Sequence, residues 1–543
     1  SQEESAIKSK ITSKIEIEIE EIKLLQDYIR NTNIALSLNN GLLNISNVEA
    51  ELPNDSKLTI VGDSDYNDNY KGLLLNINIQ GGDFGKFLKW SQIAPKSIIT
   101  NQNTPYKINS NALFLSNFSA FRDFNLELNN KKEVVNGNIR IDNSKEIADM
   151  NINFNINELE LNKYLDFSLE RNKYLSPGSL LNKLLWLKTV NSNNNIYLNI
   201  EKLQYHDSIF LNQAIDFKIG RGIFKIESLR LKPKGKKQSL QLSILADIQS
   251  KPKLEIDIKL DNFSYQDLEL EDNRKFKRLP FADRFFYLPT LIDFNGQINI
   301  DVNNSAINNI ILEKVYLSGP LDGGIWSLDN NFDMFGGNVS YKGNIVIRNI
   351  KSVSGSFIFN QINNNKFLDQ IFDIKNISGL SNASGIINSS GIDKKEFSSI
   401  LDIKSQFISS NISIKNFGIS DIQKSLLFAR KNGNKNIDIN NIIFKKSAIT
   451  KFKEAKGSFD VESASKTNKF IASASTPGLN SVTNGSVDLS NNSFKGITNA
   501  IFITGTARKQ IPINIAIGHN GPLSNLKHSP NLSQIEQYLK QLP

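Results

Sequence analysis

The chain has 543 residues, with 64 basic against 55 acidic side chains, a net charge of +9, no cysteine and 39% hydrophobic residues. Thiolate zinc, iron–sulfur clusters, disulfides and thiol nucleophiles are excluded by the missing cysteines, while the length suffices for several domains or one long repetitive unit. No run of about 18 apolar residues occurs, so no membrane-spanning helix is expected.

Residues 1–33 read two ways: Ile7, Ile11, Ile15 and Ile22 suit a helix, whereas Ile15-Glu16-Ile17-Glu18-Ile19 suits a strand. From there on, apolar and polar residues alternate with period two. The stretches containing Ile77 (Leu75–Ile79), Leu126 (Phe124–Leu128) and Ile152, Phe154 and Ile156 come first, followed by Ile196–Ile200. Next are Leu242 and Ile244 (Leu240–Ile244), then Leu254, Ile256, Ile258 and Leu260, then Ile298, Ile300 and Val302. Ile412–Ile414 and Ile513–Ile517 close the series. Successive side chains of a strand point to opposite faces, so each stretch predicts a strand with one apolar and one solvated face, as in antiparallel sheets. Asn39-Asn40-Gly41, Asn136-Gly137, Lys234-Gly235-Lys236 and Asn484-Gly485 are expected to be turns between them, as are Gly323-Gly324 and Gly336-Gly337.

Helical periodicity is local. Leu180, Leu181, Leu184, Leu185 and Leu187 follow a candidate N-cap, Ser179. At the end of the chain Leu532, Ile535, Leu539 and Leu542 share one helical face, with Pro530 expected in the first turn. Asp83–Leu88, Glu160–Leu165 and Asn363–Leu368 each read as an N-cap followed by one turn carrying an aromatic-Leu pair. Their uneven spacing marks a quasi-repeat with insertions, of which Phe263–Leu268 and Phe417–Phe428 are weaker copies.

Site chemistry is sparse. His206, His519 and His528 lack metal-ligand spacing and read as surface or turn residues. Phosphate-loop, nucleophile-elbow, zincin and dinucleotide motifs are absent in usable context, so no enzyme and no cofactor is expected. Asn, Ile, Lys and Ser dominate the composition and are treated as background. Lys232, Lys234, Lys236 and Lys237 form one basic patch, and Lys445, Lys446, Lys451, Lys453 and Lys456 another. Both read first as solvated loops and second as contacts to an anionic membrane. They lack the interleaved aromatics of a nucleic-acid interface.

Three passages resemble the AsmA-like family of bacterial envelope proteins, relatives of TamB and of the bridge-like lipid transfer proteins. The first is Ile34–Ile45 with its Asn-Gly turn, followed by Val48–Pro53; the second is Asn195–Leu268. The third runs from Gly385 and Gly391 past Phe397, Ile412–Gly418 and Asp421–Leu427 to Gly485–Leu489, Ile511–Ile515 and Gly518–Pro522. The resemblance implies a mainly β protein with a long, curled antiparallel β-sheet, a taco-like or open-barrel groove built from quasi-repeats, plus a few short helices. It implies no catalytic residues. Members of the family usually begin with a membrane-spanning helix, which is not visible here, so anchoring through an upstream segment is expected.

Roughly 25–30 strands at ~4.8 Å would make a long ribbon. Its apolar face must be covered by a second sheet, by closure of the sheet on itself, or by an apolar ligand, because large apolar patches seldom stay wet. Helices look too few to cap it. Combined with this face, the resemblance implies a non-enzymatic carrier of phospholipid between inner and outer membranes, located in the bacterial periplasm or cell envelope. Ile77, Leu126, Ile152, Phe154, Ile156, Leu242, Ile244, Leu254, Ile256, Ile258, Leu260, Ile298, Ile300 and Val302 would line its groove. Phospholipid acyl chains, membranes at one or both ends and envelope proteins are the expected partners, with no nucleic acid. An assembly factor for outer-membrane proteins and a structural or adhesive β-solenoid are the alternatives. The expected organisation is an N-terminal segment (1–33), two sets of β-groove repeats (34–190 and 191–375) and an AsmA-like C-terminal region (376–543).

Overall fold

A computed structural model describes residues 12–24, 27–39, 42–67, 70–91, 103–160, 178–205, 208–232, 237–264, 285–307, 310–433, 436–445, 447–463, 467–488, 493–506 and 509–542. The protein is mainly β and antiparallel, with seven short α-helices among the described residues. It divides into two compact units, residues 1–259 with 267–278 and residues 260–266 with 279–543.

In the first unit the strands are β1 (Thr12–Leu24), β2 (Asp27–Asn39), β3 (Leu42–Leu52), β4 (Ser56–Asn67), β5 (Tyr70–Gly81), β6 (Tyr106–Phe114), β7 (Phe118–Leu128), β8 (Glu133–Asp142) and β9 (Ala148–Glu160). β10 (Ser192–Tyr205), β11 (Ser208–Gly220), β12 (Ile223–Leu231), β13 (Ser239–Asp247) and β14 (Lys253–Asp261) follow, the last ending two residues inside the second unit. The ambiguous opening is thus a strand over Thr12–Leu24, with Ile15, Ile17 and Ile22 opposite Leu36, Ile34 and Ile29 of β2. Neighbours from β1 to β9 pair antiparallel in sequence order, and β10 to β13 do the same. β9 and β10 pair parallel. A parallel pair needs a crossover, and the described part of it holds α2 (Leu180–Leu184), where the Ser179 hydroxyl accepts from Leu181 N at 3.2 Å as its sequence predicts. The α1 helix (Phe84–Ser91) connects β5 to β6.

The second unit is a meander. Its strands are β15 (Asn295–Ile307), β16 (Ile310–Asp322), β17 (Ile325–Met334), β18 (Gly337–Ile347), β19 (Lys351–Asn363), β20 (Ile377–Gly391), β21 (Asp402–Lys415), β22 (Ile449–Glu462), β23 (Thr467–Thr476), β24 (Leu479–Asp488), β25 (Ser493–Thr506), β26 (Lys509–Pro522) and β27 (Lys527–Asn531). Each pairs antiparallel with the next. Helices α3 (Asn364–Phe372) and α4 (Lys394–Ser399) flank β20, α5 (Ile419–Asn432) and α6 (Ile439–Phe444) lie between β21 and β22, and α7 (Ser533–Lys540) ends the unit.

The predicted helix starts at Asp83 and Asn363 are both present. Asp83 Oδ1 accepts from Lys86 N at 3.0 Å, and Asn363 Oδ1 accepts from Asn365 N and Lys366 N at 3.0 and 3.2 Å. The copy at Glu160–Leu165 lies outside the described residues after Glu160, and that at Phe263–Leu268 after Ser264.

Period two breaks at regular places that the sequence reading does not register. Asn31, Asp123, Asn212, Asn304, Gln361 and Asn411 have φ values of 44° to 53° inside strands. At each of them two successive residues face outward, so the residues on either side, Phe210 and Gln213 or Phe359 and Ile362, are three apart on the same face. At Asn31, Asp123, Gln361 and Asn411 the register with a neighbouring strand also shifts, so these four are bulges, which bend a strand and raise its twist. Asn and Asp tolerate the left-handed conformation best among residues other than glycine. The first four of these positive-φ positions recur about ninety residues apart, a more regular repeat than the helix starts.

Two predicted turns are corrected. Asn136-Gly137 lies inside β8 and Asn484-Gly485 inside β24. These glycines make room for neighbours on the sheet: a Cβ on Gly137 would collide with the Asn153 carbonyl and the Phe154 ring, and one on Gly485 with the Phe494 ring. Gly323-Gly324 and Gly336 do form turns, all with positive φ. Pro530 sits in β27 and not in the last helix, which nevertheless buries Ile535 and Leu539, with Leu542 buried just beyond its end.

Candidate functional site

The register places the predicted apolar residues in continuous cross-strand rows. In the first unit one row runs Ile79, Ile108, Leu126, Val135, Ile156, Ile200. A second runs Leu75, Ala112, Phe121, Ile139, Ile152, Ile196, Phe217, Ile226, Ile244. A third runs Phe124, Gly137, Phe154, Leu198, Ile215, Leu229, Leu242. Ile77 is on the same face, opposite Ile60 and Ser110. Leu254, Ile256 and Ile258 alternate along β14 and Leu260 continues them, Leu254 being buried and the others half-buried. In the second unit Ile298, Ile300 and Val302 face Gly319, Leu317 and Val315. Ile298 and Val302 are buried and Ile300 half-buried.

Protein covers parts of this face. In the first unit α1 lays Phe87 into a cluster with Leu126, Leu128, Val135, Ile156 and Ile200, so Leu126 and Ile156 sit in a protein core. Tyr106 belongs to it too: its hydroxyl donates to Ser56 Oγ at 2.8 Å, and burial pushes its pKa up to about 12. In the second unit the expectation that helices are too few to cap the sheet fails over β21–β26. There Ile419, Ile422 and Leu426 of α5, Ile443 of α6 and Ile535 of α7 meet Phe452, Phe502, Ile513 and Ile515 in a dry cluster.

Elsewhere the face stays half-open. One row runs Tyr341, Phe357, Gly385, Ser405, Phe459, Phe470, Gly485, and beside it lie Phe359, Ala383, Phe407, Gly457 and Ala472. All these aromatic side chains are half-buried. Phe357 lies across Gly385 and Phe407 across Gly457, so the rings lean over glycines in neighbouring strands, and Phe407 and Phe470 stack with centroids 6.1 Å apart. The resulting floor is apolar, and the polar groups of these rows are the hydroxyls of Ser405 and Tyr341, which donate to the Phe459 and Ser354 carbonyls at 2.8 and 3.1 Å.

The opposite face explains the asparagine content that the sequence reading set aside. Asn78, Asn109, Asn125, Asn136, Asn155 and Asn199 form one cross-strand row. Asn78 donates to Asn109 and Asn125 to Asn136, each at 2.8 Å. Asn76 donates to Asn111 and Asn195 to Asn151, each at 3.0 Å. Amide ladders of this kind link neighbouring strands on a wet face.

The histidines correct their sequence reading in part. His206 lies outside the described residues. His519 is buried on β26 and its Nδ1 is 2.7 Å from Nδ1 of His528, which sits exposed on β27; its Nε2 is 2.8 Å from Thr498 Oγ1. Phe417, Phe444 and Phe494 surround the pair. Burial and the neighbouring imidazole hold His519 down at about 4, and partial desolvation of its ring against Phe417 and Phe444 lowers His528. No group of three metal-ligating side chains occurs among the described residues. Lys351 is fully buried and donates to the Leu288 and Arg348 carbonyls at 2.9 and 2.8 Å; burial lowers its pKa. It fastens the segment before β15 to the β18–β19 turn.

No family model, curated protein or solved structure matches this chain. Among the described residues, no helix is long and apolar enough to cross a membrane. Of the basic patches, Lys232 and Lys237 are exposed while Lys234 and Lys236 lie outside the described residues. Lys445, Lys451, Lys453 and Lys456 are exposed, the last three on the polar face of β22, and Lys446 lies outside the described residues.

Proposed function

We propose that the chain is a non-enzymatic lipid carrier of the bacterial cell envelope, with phospholipid acyl chains lying on the apolar face of its sheet and moving along it between the inner and outer membranes. One observation carries this reading: the rows through Tyr341, Phe357, Phe407, Phe459 and Phe470 remain half-exposed although helices seal the same face further along β21 and β22, at Ile412 and Phe452. Each large side chain of this kind gains roughly 1.5–3 kcal/mol on leaving water, so an uncovered row calls for an apolar occupant. A succession of near-equivalent aromatic and aliphatic sites with few polar groups offers acyl chains no deep local minimum, which suits passage more than capture. The passages similar to AsmA-like proteins support the envelope setting and the contact with membranes at the ends.

Native mass spectrometry of the purified chain, with lipid extraction in parallel, tests the proposal. Phospholipid that copurifies and is lost on replacing Phe407 and Phe470 by Asp in a folded protein is the expected result. A lipid-free protein whose apolar rows are protected from solvent would refute it. A second reading, templating of an outer-membrane protein strand, draws on β1, which pairs only with β2 among the described residues and so presents a free edge. Crosslinking from β1 to a nascent barrel would favour that reading.

A further inference from the structure

The α5 helix presents two apolar stripes. Ile419, Ile422, Leu426 and Ala429 follow the spacing of three and four and are between 0% and 1% exposed. On the opposite side Lys424, Leu427, Phe428 and Lys431 stand at i, i+3, i+4 and i+7, a single stripe at 100° per residue. Leu427 is 41% and Phe428 61% exposed, and both lysines are exposed. Exposed aliphatic side chains on the polar face of the sheet sit differently: Ile471 has Ser458 and Asn484 as cross-strand neighbours. On α5 two large apolar side chains are adjacent and bracketed by cations. Asp421, one turn earlier, is 3.2 Å from Lys424 and is the single acidic residue of the helix.

We propose that this second face of α5 docks on a bilayer surface containing anionic phospholipid. Leu427 and Phe428 enter the boundary between headgroups and acyl chains. The stems of Lys424 and Lys431 run alongside them, and the ammonium groups reach back to lipid phosphates. Charge complementarity selects this occupant: a bilayer offers apolar depth under a negative surface, the order in which the stripe presents its groups. The helix ends at Gly433 with φ +63°, so the stripe spans two turns, suited to shallow insertion. This inference adds a membrane contact to the carrier reading but does not depend on what occupies the sheet.

Flotation of the full chain with phosphatidylcholine vesicles carrying about 30% phosphatidylglycerol, compared with pure phosphatidylcholine, is the test. The chain should float with the anionic vesicles. The pair Leu427→Ser with Phe428→Ser, and separately Lys424→Glu with Lys431→Glu, should each reduce the bound fraction by about tenfold or more, with the circular dichroism unchanged. Phe428→Trp should shift its emission to the blue on anionic vesicles. Equal flotation of the parent and both double variants, or no flotation of the parent, would overturn the proposal. So would a parent dimer that the Leu427→Ser, Phe428→Ser pair converts to a monomer in light scattering, since a second copy would then occupy the stripe. Vesicle binding by a lipid-free chain whose apolar rows are protected from solvent would refute the carrier reading alone.

Discussion

The contrast between the two stripes of α5 gives a stability prediction with a built-in control. Ile422 is fully buried among Leu426, Ile443, Phe502 and Ile515. Ile422→Ala removes three carbons at about 0.8 kcal/mol each and leaves a cavity that rigid strand neighbours fill poorly, for a total of about 2–5 kcal/mol. Even 3 kcal/mol changes the folded-to-unfolded ratio by about two orders of magnitude. Phe428→Ala deletes a larger side chain, but one that is 61% exposed, and surface changes of this kind usually stay within about 0.5 kcal/mol. Urea denaturation of the full chain followed by tryptophan fluorescence and circular dichroism reads both. The reasoning is refuted if Phe428→Ala costs as much as Ile422→Ala, or if Ile422→Ala costs less than about 1 kcal/mol.

Three further outcomes follow from the geometry. His519 stays neutral in the fold down to about pH 4, whereas an unfolded histidine takes up its proton near 6.5; its contribution is therefore complete above pH 6.5 and declines as pH falls toward 4, by about 3 kcal/mol over the window. His519→Gln should flatten that part of the stability profile in denaturant titrations at stepped pH. Gly485→Val should destabilise by about 1–3 kcal/mol, because the Phe494 ring and the Lys495 carbonyl already occupy the space, and Phe494→Ala in the same chain should relieve part of the loss in a double-mutant cycle. Asn363→Ala removes the acceptor for two backbone N–H groups at the start of α3 and should cost about 1 kcal/mol, a loss that Asp or Ser at the same position recovers in thermal melts.

Much of this architecture was legible from alternation alone. Ile152-Asn153-Phe154-Asn155-Ile156 announces a half-solvated strand, and the register puts its three apolar residues into three adjacent rows, because a period of two fixes the face of every residue in a strand. The breaks in alternation escape the sequence because they depend on backbone conformation: Asn212 and Asn411 look like ordinary polar positions until a positive φ turns the next residue back to the apolar face. Gly137 and Gly485 misled as turns because a glycine beneath an aromatic ring carries the same letter as a glycine at a bend. The helix cover over β21–β26 was hidden for a different reason. Ile422 and Leu426 have helical spacing, but much of what they pack against, Phe502, Ile513 and Ile515, comes from strands roughly 75–95 residues later, and packing at that separation leaves no local trace. The asparagine ladder became meaningful only when Asn78 and Asn109 were placed opposite each other. The pairing of His519 with His528 likewise required the β26–β27 register.

The most direct measurement of the central claim is photocrosslinking with a phospholipid that carries a diazirine in its acyl chain, followed by peptide mapping of the labelled full-length protein. Labels should fall on Ile300, Phe357, Phe407 and Phe470 of the half-open apolar face and spare both buried Leu426 and the outward-facing Ile408. Labelling that favours Ile408 and its face, or that is spread without regard to the alternation along β21, would contradict the proposal that lipid tails lie on the apolar side of the sheet.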